Sequence, residues 1–318
     1  MFNTFGFYLA AYRQYLVDWS KSEFGTKARC FRIFLRFCKL LKIHVSRFDR
    51  YACRKCYDPL WPQERKDLYN ETDEEIKEAI ADHKNLIGIQ NARCRWLRTN
   101  LPRDEILIIW DYSRIHDTAV WKMHDLNMTV YLRTGRGKGT ITTQSYDFFC
   151  ESKHDYHYSI RGWEQFRASV DLEKYSKVHI WSDNGLKSKE IFWYFNLLKT
   201  YCNLDIELNY FTPCHGHSDC DGHFGQGKQI LRNQLGPAPL SDRAALVEAF
   251  MMLPNTTAVL MDTPEPVIVK AKALKNGIRY FYSFKFDNES NVICRKHCES
   301  ENYVVSKIQA DAAAIVLV

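Results

Sequence analysis

Residues 105–113 read EILIIWDYS. Five apolar residues, Ile106 to Trp110, run without a break into a carboxylate. A run this short, rich in β-branched side chains, suits a strand buried on both faces better than a helix. The same shape returns at 177–185, KVHIWSDNG, where Asp183 closes the run. Between them, LNMTVYLR (126–133) and TITTQSYDFFC (140–150) flank the glycine turn RTGRGKG (133–139), which predicts a hairpin. Helical spacing follows at 161–175 and 189–202, a further strand at 204–213, and a helix opening from HGHSDCDGHFGQGK (215–228).

The resulting order, β-β-β-α-β-α-β-α, predicts an α/β fold: a ribonuclease H-like mixed sheet flanked by helices. Three regions are expected. Residues 1–103 form a basic helical module, 104–254 the sheet domain, and 255–318 a small β-rich appendage, read from EPVIVKAKAL, GIRYFYSFKF and NVICRKH. In the first region, helical spacing is found at 7–22, 27–45 and from Thr72 to 100, where Thr72 and Glu75 fit a capping box. Ser241 is the expected N-cap of a helix over 240–254.

Charge is uneven. The chain carries +6 overall, yet residues 1–58 hold 12 Lys/Arg against 4 Asp/Glu, so the rest sums to −2. A basic head on a near-neutral body points to a polyanion, most simply nucleic acid, or to a solvated helix face. No run of ~18 apolar residues occurs, so no membrane span is expected. The first 19 residues lack a basic stretch ahead of an apolar run, so no secretory leader is expected. The 11 cysteines, an odd number, read as free thiols and metal ligands rather than a disulfide framework.

In an open α/β sheet, sites form at the carboxyl ends of strands. Asp111 and Asp183 close two strands that this topology makes neighbours, and Asp221 is the expected third acid, at the start of the last helix. Asp221, Gly225 and Lys228 fall on one helical face. Asp219 is the rival third acid, or an N-cap. Taken singly, a strand-end aspartate is a turn or cap residue, and Asp117, Asp125 and Asp155 read as loop acids. His215 and His217 are candidates for orienting water or phosphate. Arg133, Arg136 and Lys138 in the glycine turn are candidate backbone contacts to nucleic acid. Cys53 and Cys56, spaced as a metal knuckle, suggest a structural zinc site, with two free thiols in a helical turn as the alternative. Cys214, His217, Cys220 and His223, three apart, are a weaker zinc pattern, because such close spacing leaves little chain to wrap a tetrahedron.

WDYS, WSDNGLKSKEIF and HGHSDCDGHFGQGK, in that order, resemble the core of eukaryotic DDE/D-type DNA transposases and transposase-derived proteins. The likeness covers 104–234 well, the preceding cysteine module less specifically, and the last 65 or so residues weakly. It implies Asp111, Asp183 and Asp221 as ligands of two Mg²⁺ or Mn²⁺ ions, with DNA as partner, nuclear location and an option of self-association. It also implies His83 as a third zinc ligand, with Cys94, Cys38 and His44 competing for the fourth place. Asn184 stands between the acid and the glycine of the second motif, a departure that leaves the acid intact. The chain is short for an autonomous transposase, which a missing N-terminal DNA-binding domain would explain. The alternatives are another ribonuclease H-like nuclease and an inactive, domesticated DNA-binding protein. Ser113 stands where exonucleases of that fold place a glutamate.

Overall fold

The computed structural model describes residues 53–58, 61–117, 122–135, 139–151, 155–183, 186–216, 218–235, 243–262, 270–271, 277–308 and 310–311. The helices expected at 7–22 and 27–45 and the Ser241 cap lie outside them. Two compact units divide at Lys84 and Asn85, inside the long helix, rather than at 103 and 104.

In the first unit, helices α1 (Arg54–Tyr57) and α2 (Trp61–Tyr69) precede α3 (Asp73–Asn100). The capping box at the start of α3 is present. The Thr72 N–H donates to Glu75 Oε2 at 2.8 Å, and the Glu75 N–H donates to Thr72 Oγ1 at 3.3 Å. Arg54 bridges Asp58 and Glu64, and Arg65 lies over the rings of Trp61 and Tyr69.

The second unit is a mixed α/β structure. Its strands are β1 (Glu105–Asp117), β2 (Lys122–Thr134), β3 (Thr140–Cys150), β4 (Lys177–Ser182), β5 (Ile206–Tyr210), β6 (Thr256–Leu260), β7 (Lys270–Ala271), β8 (Ser283–Phe286), β9 (Asn291–Arg295), β10 (Tyr303–Lys307) and β11 (Ala310–Asp311). Nine of these form one sheet in the order β10-β9-β8-β5-β4-β1-β2-β3-β6; β7 and β11 form a separate ladder. β1, β2 and β3 are antiparallel, whereas β4 runs parallel to β1 and β5 parallel to β4. The 255–318 segment is therefore not a separate appendage. β6 extends one edge by pairing with β3, and β8 extends the other by pairing with β5.

Helices cover both faces. On one, α4 (Tyr156–Ser169) and α5 (Lys189–Cys202) pack aromatic rings onto the sheet. Trp110, Trp163 and Phe195 meet edge to face at 5.1–6.3 Å, a geometry worth ~0.5–1.5 kcal/mol per pair beyond area burial. α4 starts five residues before its expected position, because the Asp155 side chain accepts from the Tyr158 N–H and caps it. On the other face, α6 (Asp219–Leu235) lays Cys220 and Phe224 over Ile109, Tyr131 and Trp181, beside Leu97 and Leu101. α7 (Arg243–Met251) packs Leu246, Ala249 and Phe250 on Phe149 and Met123.

The glycines of α6 are not equivalent. A Cβ on Gly227 would stand 2.2–2.6 Å from three atoms of the Phe250 ring, whereas one on Gly225 would meet nothing within 4 Å. Gly227→Ala is expected to destabilise the protein by about 1–3 kcal/mol through overpacking. Gly225→Ala is expected to be neutral or stabilising by up to about 1 kcal/mol, the helix-propensity gain. Thermal melts of the two variants check the contrast.

Candidate functional site

The second unit's site is built by strand register. Trp110 pairs with Ser182 across parallel β1 and β4, so the next residues, Asp111 and Asp183, stand side by side where that pairing stops. Asp183 follows the last residue of β4, but β1 runs on beside β2 to Asp117, so Asp111 lies within its strand and does not close it as expected. Strands in a sheet lie ~4.8 Å apart, and both acids line one cavity of about 390 Å³. The other walls come from Tyr112 and from the first turns of α4 and α5, including Tyr156 and Ile191.

Asp111 is the perturbed group. Burial and the charges of Asp183 and Asp221 push its carboxyl up to about 8, against a smaller opposing effect of the Tyr112 N–H, which donates to Oδ1 at 2.7 Å. Asp221 stands exposed in the first turn of α6, where its Oδ2 accepts the Ser218 N–H at 2.8 Å. It therefore reaches Asp111 by charge. Among the described residues, the three aspartates do not form one group with every ligand atom within 4.8 Å of the others.

The rival acid is engaged elsewhere. Asp219 accepts the Tyr131 hydroxyl and pairs with Arg98 at 3.3 Å. Lys228 donates to Ser113 Oγ at 2.7 Å; burial lowers its pKa, and the charges of Asp125 and Asp221 oppose that shift. His215 is half-buried, with its N–H donated to the Thr212 carbonyl at 2.9 Å. His217 lies outside the described residues, as do Arg136 and Lys138. Arg133 donates to the carbonyls of Leu101 at 2.5 Å and Thr99 at 3.2 Å, satisfying groups at and beyond the end of α3. That role occupies a side chain expected to contact nucleic acid.

Beneath α6 lies a polar layer that the sequence reading missed. Asp125 is a fully buried residue of β2, not a loop acid, and its carboxyl is raised by burial and by Asp147 beside it. Asp147 accepts from Asn127 at 2.7 Å and pairs with His223 at 2.7 Å. Asn127 faces Asp111 across the β1–β2 ladder. The signal was present as polar residues at two-residue steps, Asp125, Asn127 and Thr129. Asp155 likewise is a helix cap on the cavity wall.

The close-spaced Cys/His pattern does not converge. Cys220 is wholly buried against the Ile109 carbonyl and Thr129, its thiol raised by burial, while His223 turns to Asp147. Cys94 is core in the second unit, its thiol pushed up to about 12 by burial, and does not join the metal group. Cys38 and His44 lie outside the described residues.

In the first unit, Cys53, Cys56 and His83 place one ligand atom each within 4.8 Å of the others, a group that could hold a metal such as zinc. Cys53 Sγ lies 3.0 Å from His83 Nε2. Cysteine sulfur and histidine nitrogen are the donors that zinc takes, so the donor set fits in chemistry. Burial and the neighbouring Cys53 raise the Cys56 thiol. A cation is what lets two adjoining sulfurs ionise together.

No protein-family model matches the chain, and no curated protein matches it. No helix among the described residues is long and apolar enough to cross a membrane.

The Asp111 proton gives a measurable signature. The folded state holds it up to about pH 8, whereas an unfolded aspartate releases it near ~4. Its stabilising contribution is therefore full below pH ~4 and is lost as pH rises toward 8. In chelator, Asp111→Asn is expected to melt above wild type at pH 9, with the gap narrowing at pH 5. Melting curves at the two pH values test this, and an unchanged gap would contradict the burial of Asp111.

Proposed function

We propose that this chain is a DDE/D-type transposase or transposase-derived nuclease, with a ribonuclease H-like catalytic sheet and a structural zinc site in the first unit. The observation that carries the reading is the in-register placement of Asp111 and Asp183 where the parallel β1–β4 pairing stops, lining one cavity, with Asp221 within charge reach. The strand series β5-β4-β1-β2-β3, antiparallel on one side of β1 and parallel on the other, supports the ribonuclease H-like assignment.

The donor set suits the chemistry. Three carboxylates are hard oxygen ligands of the kind magnesium and manganese take. Asp111 in particular is a buried acid crowded by like charge, which a divalent cation would relieve. Bound by Asp111, Asp183 and Asp221, two such ions would supply an activated attacking oxygen and a stabilised leaving oxygen for phosphodiester cleavage. The protein's part is orientation. Strand register fixes Asp111 against Asp183, Asp221 is held by the Ser218 N–H, and Lys228 is held by Ser113. The acids repel a polyanion until cations neutralise them, so productive DNA binding should need Mg²⁺ or Mn²⁺.

Two outcomes test the reading. Nicking of a labelled duplex is expected with Mg²⁺ or Mn²⁺ and to disappear in chelator. Asp183→Ala should lower the rate at least 100-fold while leaving salt-dependent binding in place. Cleavage that survives this substitution, or chelation, excludes the two-metal mechanism; binding without cleavage under any metal favours a domesticated DNA-binding protein. Separately, elemental analysis of the full chain is expected to find one zinc, lost in Cys56→Ser and in His83→Ala. Full zinc occupancy in both variants would remove the structural site.

A further inference from the structure

The cavity beside Asp111 and Asp183 has more room than the acids use. At about 390 Å³ it falls in the size range of pockets that enclose a small organic group, ~300–1,000 Å³. Its remaining walls differ in chemistry from these two acids. Tyr112, Tyr156, Leu186 and Ile191 supply rings and aliphatic carbon, and Ser159 and Ser188 supply hydroxyls. Among the described residues, no lysine, arginine or histidine lines it.

That lining argues against a second phosphate. The two helix N-termini at the cavity are ready-made anion sites only where their N–H groups are open. Here Asp155 accepts the Tyr158 N–H at 3.1 Å and Ser188 accepts the Ile191 N–H at 3.2 Å, so protein side chains already serve the first turns of both α4 and α5. Asp155 also adds a third carboxylate to the walls. A phosphate can therefore approach only where cations offset Asp111 and Asp183. Among the described residues, the rest of the volume offers a second phosphate no counter-charge.

One wall is rigid and flat. Tyr112 stacks on Tyr158 with ring centroids 5.3 Å apart and planes 18° from parallel. Its hydroxyl meets Ser159 Oγ and the Asp155 carbonyl, which fixes the ring against rotation out of the wall. A preformed aromatic wall lowers the ordering cost of binding a planar group. Tyr156, on the same cavity, offers a second ring.

We infer that this cavity receives one nucleobase, unstacked from its neighbours, belonging to the nucleotide whose phosphate is held at Asp111 and Asp183. The inference rests on the metal-dependent phosphodiester reading above and adds to it how the substrate is placed. Tyr156 stacks on the base. The Ser188 hydroxyl and the Asp155 carboxylate offer polar partners to its edge. An enzyme acting this way takes a base out of its stack most cheaply at a strand end or in single-stranded DNA, so the preferred substrate is an unpaired or frayed end.

Calorimetric titration of the full chain in Ca²⁺ separates this inference from the reading beneath it. The probes are thymidine 5′-monophosphate, deoxyadenosine 5′-monophosphate and 2-deoxyribose 5-phosphate, which lacks the base. Both nucleotides are expected to bind about tenfold more tightly than the sugar phosphate, the scale of one base stacked on one aromatic ring. Tyr156→Ala should erase that preference while leaving Ca²⁺ and sugar-phosphate affinity unchanged, and Tyr156→Phe should keep it. Equal affinity for nucleotides and sugar phosphate in the wild type overturns the base pocket, as does a preference that survives Tyr156→Ala, or no binding of any probe. Ca²⁺ binding that Asp183→Ala leaves intact instead overturns the metal site, and a base preference seen alongside it would leave the pocket standing alone.

Discussion

A carboxyl set at the end of a buried apolar run must have its charge answered, and the second unit is arranged around that requirement. β1 carries Asp111 out of an apolar run in which Ile106 to Trp110 are all inaccessible. Parallel pairing with β4 then brings Asp183 alongside, so strand register itself creates a repulsion. Protonation is one answer, which is why the carboxyl is held neutral well above the ordinary aspartate range; a bound cation is the other. Helix packing could relieve neither. Trp110 points to the face of α4 and α5, locked among Trp163 and Phe195. The strand cannot slip by one residue without burying the acid in that aromatic layer.

The face under α6 answers charge differently. Asp147 is wholly inaccessible, yet Asn127 and His223 hydrogen-bond to its two oxygens. A buried acid with both oxygens engaged ties three elements, β2, β3 and α6, to one position, whereas leaving it unpaired would cost several kcal/mol. Asn127 also lies opposite Asp111, so the network that seats α6, with Asp221 in its first turn, begins beside that acid. The opposite edge is fixed by Gln90. Its amide donates to the carbonyls of Tyr210 and Tyr282 at 2.9 and 3.1 Å and accepts the Cys298 N–H at 3.0 Å. Lys187, four residues after Asp183, donates to the Phe281 carbonyl and lies over the rings of Tyr210, Tyr282 and Phe284. The loop carrying Asp183 is thereby anchored to the added strands β8 and β9, which gives the C-terminal segment a part in holding the site.

Local signals were legible and nonlocal ones were not. The capping box at Thr72 and Glu75, the paired strands flanking the glycine turn and the two apolar runs that lead into an acid are each written within about ten residues, and the structure has them, although β1 continues past Asp111 to Asp117. The partner of β8 is β5, some 75 residues earlier in the chain, and the partner of β6 is β3. Sequence patterns carry no record of such pairings, so those strands read as an appendage. Asp125 was misread for another reason. Alternation along β2 separates Leu126, Met128 and Val130 from Asp125, Asn127 and Thr129, but alternation only distinguishes two faces. It does not say that the polar face is wet. Here α6 covers it, and what looked like a loop acid is buried. Arg133 was misjudged because a basic residue near a glycine turn looks the same whether it meets a phosphate or a carbonyl at a helix end.

The two units also sort their ligand chemistry. The first gathers sulfur and imidazole, Cys53, Cys56 and His83; the second gathers carboxylates at strand and helix ends. Soft donors select zinc and hard oxygen donors select magnesium or manganese. The fate of the other cysteines supports that division. Cys94 and Cys220 are buried among apolar side chains, where their thiols are pushed up and stay protonated. A protonated thiol is a poor metal ligand. Burial therefore silences Cys94 and Cys220 as metal ligands, although both stand in the same unit as the aspartates, and the sulfurs of Cys53 and Cys56, gathered beside an imidazole, are the ones placed to hold a soft metal.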